Sequence, residues 1–175
     1  YRIAATSWGN PYEYRMVMDN SFGYNCESES NNFSDFNKWR NYVLIGEVND
    51  GNAFYANGGV AGHAGLFSTT GDLAVLGQTM LNGGGYGDIR IYDKAIISDF
   101  SSPKRFGQGY GFEVNKSWYM GTECSEEAFG HTGFTGTQII FDPVYNLQII
   151  ILTNKQHNGV NSFTKYNSTG YLSKT

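Results

Sequence analysis

Charge is scarce in this chain: 12 basic and 16 acidic residues stand among 175, for a net charge of -4. No Lys/Arg cluster gathers what there is, so neither a phosphate backbone nor an anionic lipid surface finds a partner. Nucleic acid and membrane-surface partners are therefore not expected. Long hydrophobic runs are missing too, since even Leu147 to Thr153 is strand-sized, far short of the roughly 20 residues of a bilayer span. Cysteine is limited to Cys26 and Cys124. Neither has a second Cys or a His at ligand spacing, which argues against a zinc site and leaves one disulfide or two free thiols open. No metal and no cofactor is implied. A starting Met and a charged leader are also lacking, so Tyr1 reads as a cut or processed end.

What is plentiful is glycine, 23 residues, and aromatics, with 13 Tyr, 12 Phe and 3 Trp. Low charge with many aromatics argues for a folded body, because disordered chains show the reverse. A chain of this length buries about 70% of its unfolded surface, enough for one domain with a real core. The glycine excess predicts many turns and close backbone contacts. Trp8, Trp39 and Trp118 are scattered, a pattern of core packing more than of sugar stacking. The Asn32, Asn115 and Asn167 sequons are what an Asn-rich chain yields by accident.

Residues 1–57 read as a loop-rich lead-in, with polar residues and aromatics at no regular period. Ser28 to Ser34 is linker-like, but its aromatic flanks argue against a domain boundary there. Order begins after Gly58, and residues 58–157 carry the readable elements within one domain spanning 1–175. Thr69 with Asp72 three residues on is a capping box, predicting a helix over 69–82 with Leu73, Leu76, Met80 and Leu81 on one face and Asn82-Gly83 as its stop. A second helix is expected from Asp93 to Phe100, ended before Pro103. Strands are expected at Gly109–Val114, Ser117–Gly121, Thr137–Phe141 and Leu147–Thr153, the last two joined by a turn at Asp142 to Asn146 and hydrophobic enough for burial on both faces. The tail from Val160 to Leu172 is read as a closing helix.

Two passages carry chemistry. The first is the glycine-rich loop Gly62-His63-Ala64-Gly65-Leu66-Phe67-Ser68-Thr69, which feeds the capped helix. The second is Phe129-Gly130-His131-Thr132-Gly133, a polar pair bracketed by glycines at the head of an apolar strand. In this order the passages resemble the serine β-lactamase and penicillin-binding protein superfamily, class C-like branch, over roughly Gly46 to His157; Ile3-Ala4-Ala5-Thr6 is similar to a family segment as well. The resemblance implies an α+β fold with an antiparallel sheet covered by helices, and a location outside the cytoplasmic membrane. It implies that His131 and Thr132 contact a substrate's carboxylate or polar end, that Gly133 keeps the edge strand clear for an incoming backbone, and that the amide of Phe134 is an oxyanion-hole donor.

The family's nucleophile is a Ser activated by a Lys one helical turn on, far upstream of the His-Thr-Gly strand. Here Ser101-Ser102-Pro103-Lys104 has a Pro inside it, and Ser162-Phe163-Thr164-Lys165 follows the strand, so neither is expected to serve and the catalytic set within this chain is empty. Tyr55-Ala56-Asn57 spells the family's Tyr-x-Asn but leads into glycines where a helix belongs, and reads as coincidence. His63 reads as a structural histidine bonding loop backbone, and His157 as merely exposed. The expectation is the C-terminal portion of a serine hydrolase acting on a D-alanyl peptide, a β-lactam or a small ester, inactive without the missing N-terminal half. The rival is a non-catalytic module holding peptidoglycan or glycan ligands. Half a sheet also leaves a bare strand edge, which invites a dimer.

Overall fold

The computed structural model describes residues 3–19 and 37–158. Cys26, Asn32, Ser162 to Lys165, Asn167 and the expected tail helix lie outside the described residues. Those described fall into two compact units, residues 3–19, 37–67 and 154–158 in one and residues 68–153 in the other.

In the first unit, helix α1 (Pro11–Met18) starts with Pro at its first turn behind Asn10, a position where the missing amide costs nothing. That Asn-Pro start was the available signal for a helix inside a stretch read as loop. A π-helical turn covers Asn52–Ala56. Arg40 organises this unit: its guanidinium is buried, donating to Asn10 Oδ1 (2.7 Å), Val48 O (2.6 Å) and Asn49 O (2.8 Å), and it lies 3.9 Å over the Phe54 ring. A buried cation persists only with its donors satisfied in this way.

The second unit is built on an antiparallel sheet of order β3-β4-β5-β6, from Glu113–Val114, Phe129–Thr132, Gln138–Asp142 and Leu147–Ile151. Helix α2 (Thr70–Leu81) begins as the capping box predicts, with Thr69 Oγ1 accepting from the Asp72 amide at 3.1 Å. A two-stranded ribbon follows, β1 (Gly85–Tyr86) and β2 (Ile89–Arg90), and then α3 (Lys94–Ser101). Helix α2 packs on β5 and β6. A Cβ at Gly77 would stand 2.5 Å from Phe141 Cε1, so this glycine permits the close approach. The helix buries Gly77, Thr79 and Met80, whereas Leu76, expected on its inner face, is exposed.

Period-two alternation sorts the sheet into two faces. Phe129 and Phe141 join Met80, Ile97 and Val114 on one side, with Phe112 edge-on at 5.2 Å and 6.1 Å from the two rings. Ile140 joins Tyr119, Met120 and Ala128 on the other. Full burial of such a side chain stabilises by roughly 2 kcal/mol. Two expectations are corrected here. Ser117–Met120 is a helical turn, α4, and not a strand: neighbours Tyr119 and Met120 are both buried, which a strand with one inner face forbids. Among the described residues strand β6 is the sheet edge and only half buried, so of these two strands burial on both faces holds for β5 alone. The antiparallel α+β architecture is as expected.

Asp142, buried at the end of β5, accepts from the Ser125 amide (2.7 Å) and hydroxyl (2.8 Å) and from the amides of Val144 (3.0 Å) and Tyr145 (3.2 Å). Burial works to raise its pKa, but these donors outweigh it and hold the carboxyl below the usual range. A depressed folded pKa stabilises fully above the unfolded value of about 3.9 and is lost as pH falls through the folded one. Replacing Asp142 by Asn should cost about 2 kcal/mol at pH 7. In urea titrations the gap between wild type and variant should shrink below about pH 4; a gap constant with pH would contradict this.

Candidate functional site

The edge of β4 is set by hydrogen-bond parity. The Gly133 amide donates to Thr137 O at 2.7 Å, closing a short hairpin in which Gly136 also donates to Gly133 O. Counting back by two along the ladder, His131 and Phe129 aim their backbone groups at β5, and Thr132 and Gly130 aim theirs the opposite way. Strand β3 covers that opposite side only at Phe129 and Gly130. Among the described residues no strand pairs with His131 or Thr132 there, so Thr132 presents its backbone at an open edge.

Side chains follow the same parity. His131 shares a face with Ile139, and Thr132 shares the other with the buried Gln138. The His131 ring is exposed, Thr132 is half-buried and Phe134 is half exposed in the turn. The ring does not stand away from the strand: its Nδ1 lies 2.7 Å from the carbonyl oxygen of Thr132. A carbonyl only accepts, so Nδ1 carries the proton.

Both flanking glycines have local reasons. A Cβ at Gly130 would fall 2.1 Å from the Ile139 carbonyl, so only glycine lets β4 and β5 pair here. At Gly133 it would fall 2.1 Å from Thr137 Oγ1. A side chain at Gly133 would therefore have to displace the Thr137 hydroxyl, whereas one at Gly130 would meet backbone.

The remaining sequence candidates take other places. Ser101 is the last residue of α3, its hydroxyl donates to Ile97 O at 2.8 Å, and Lys104 pairs with Asp99 at 2.9 Å. A nucleophile at a helix start with its Lys one turn on is not built from these residues. The Tyr55 hydroxyl accepts from the Arg40 amide at 2.8 Å, and its ring packs edge-on against Trp39. His63 has a carboxylate partner and not loop backbone: its Nε2 lies 3.0 Å from Asp50 Oδ1, and the ring is more than half exposed. Asp50 was missed, since no spacing rule links positions 13 residues apart in a loop. Partial burial acts to raise the pKa of Asp50, but the Ala53 amide (2.7 Å) and His63 outweigh it and hold it low. Cys124 is a free thiol whose pKa burial raises, the reverse of an activated nucleophile.

With this geometry in view, comparison with known proteins is specific. The family model Beta-lactamase matches residues 8–168. A protein of Escherichia coli (strain K12) named "Putative D-alanyl-D-alanine carboxypeptidase" is 49% identical over 127 residues, 69% of this chain and 29% of that protein. A Bacillus subtilis (strain 168) protein named N-acetylmuramyl-L-alanine amidase is 47% identical over 127 residues, again 69% of this chain and 29% of its own length. The chain thus spans under a third of the length of these curated relatives.

Two outcomes follow from the local packing. Gly130→Ala should destabilise by about 2 kcal/mol through overpacking against backbone, read as a lowered urea midpoint; an unchanged midpoint would contradict the close approach. Asp50→Ala should raise amide exchange at Ala53 by roughly fivefold, the weight of one lost hydrogen bond, and unchanged exchange there would contradict the bond from the Ala53 amide to Asp50.

Proposed function

The chain belongs to the beta-lactamase family, and on that premise we propose that it is the C-terminal, sheet-bearing part of a penicillin-binding or β-lactamase-like serine hydrolase. The observation that carries the proposal is the open edge of β4, where an exposed His131 and a half-buried Thr132 follow strand pairing that ends at Gly130. An extended substrate adds to such an edge through its backbone, while side chains at the rim read its polar end.

In this reading the reaction is acyl transfer through a Ser ester. The substrate is a D-alanyl peptide, a β-lactam or a small ester; relatives named carboxypeptidase and amidase favour an amide bond as the one cleaved. His131 and Thr132 hold the substrate's polar end, and the Phe134 amide donates to the developing oxyanion. Such a donor is worth on the order of 3 kcal/mol in the transition state. The Ser-x-x-Lys pair comes from polypeptide outside these 175 residues, so the chain alone has a binding edge and no acyl acceptor. Loss of the acceptor abolishes the covalent step however well the edge is formed.

A fluorescent penicillin tests this directly. Incubated with the 175-residue chain, it should leave no covalent label, whereas a longer polypeptide carrying a Ser-x-x-Lys helix should be labelled on that Ser. A labelled residue anywhere in the short chain would overturn the division of parts.

A further inference from the structure

We infer that His131 reads a hydrogen-bond donor on the substrate, so that the group facing it is an amide N–H or a hydroxyl and not a free carboxylate. The inference rests on the reading of the β4 edge as a substrate site and narrows the class of substrate that edge takes.

Because the Gly133 amide turns toward Thr137, the Thr132 carbonyl turns toward the open edge. The His131 ring bonds that carbonyl through Nδ1 at 2.7 Å. The acceptor leaves no choice of donor, so the bond assigns the tautomer: the proton is on Nδ1. An uncharged imidazole has one N–H, and this one is already spent on the carbonyl. Nε2 is then a bare lone pair on an exposed ring.

A lone pair attracts N–H and O–H groups and repels a carboxylate oxygen. Any carboxylate at this edge is left to the hydroxyl of Thr132, which lies on the opposite face of the strand and can donate. A lysine at the same position would behave in the opposite way, having three donors and no acceptor. His131 is thus a specificity-determining residue: it turns an anion-binding position into one that accepts a hydrogen bond.

The test uses the whole chain labelled with 15N-histidine, with acetyl-D-alanyl-D-alanine and its C-terminal amide as probes, under conditions where the imidazole spectrum shows the uncharged ring. Long-range 1H–15N correlations should show Nδ1 protonated and Nε2 bare; a dominant Nε2–H form would overturn the inference. Followed at His131 Nε2, the amide should bind about fivefold tighter than the carboxylate, as one added hydrogen bond supplies. His131→Lys should reverse that preference by roughly tenfold, since a charge-assisted contact replaces the acceptor. A wild-type chain favouring the carboxylate, or a variant with the wild-type ratio, would overturn the inference while leaving the edge as a substrate site. If neither probe shifts His131, the reading of the edge as a substrate site falls, and the inference with it.

Discussion

The contact on which the sheet's open edge depends is the approach of β4 to β5 at Gly130, where an added methyl group would sit 2.1 Å from the Ile139 carbonyl. That spacing holds Phe129 against Phe141 and His131 against Ile139 in one register. A slip of a single residue would exchange every side chain between faces. Phe129 would leave the aromatic cluster it forms with Phe112 and Phe141, and Thr132 would turn its backbone from the open edge toward β5. One hydrogen atom in place of a side chain thus permits the strand approach on which both the core and the rim rest.

The rim inherits its chemistry from that register. His131 and Thr132 are neighbours in sequence but stand on opposite faces, and what ties them together is a single bond from the imidazole to the Thr132 carbonyl. The bond also removes the freedom of the ring to choose its tautomer. In the uncharged ring, where that one carbonyl points leaves Nε2 as the acceptor. In the first unit the comparable constraint is the buried Arg40, whose three short bonds to Asn10, Val48 and Asn49 gather segments with no regular secondary structure.

How much of this was legible in the chain depends on the range of the forces involved. Helix α2 was readable because its cap joins Thr69 and Asp72, three positions apart, and its stop is a run of glycines. Strands β5 and β6 were readable from their isoleucines and the Asp142 to Asn146 turn. Helix α4 was not: Trp118 and Tyr119 favour strands in isolation, and the helical turn is imposed by burial of Tyr119 and Met120 side by side. The glycines around His131 were visible as a motif, but the reason for Gly130 lies across the strand pair, in the Ile139 carbonyl. The Asp50 partner of His63 and the Arg40 network are closed by tertiary packing, which no local pattern encodes.

Amide hydrogen exchange along β4, read residue by residue, tests the register most directly. Protection should alternate: slow at Phe129, His131 and Gly133, whose amides face β5, and fast at Thr132, whose amide faces the open edge. Protection at Thr132 equal to that at His131, or an inverted pattern, would contradict the account.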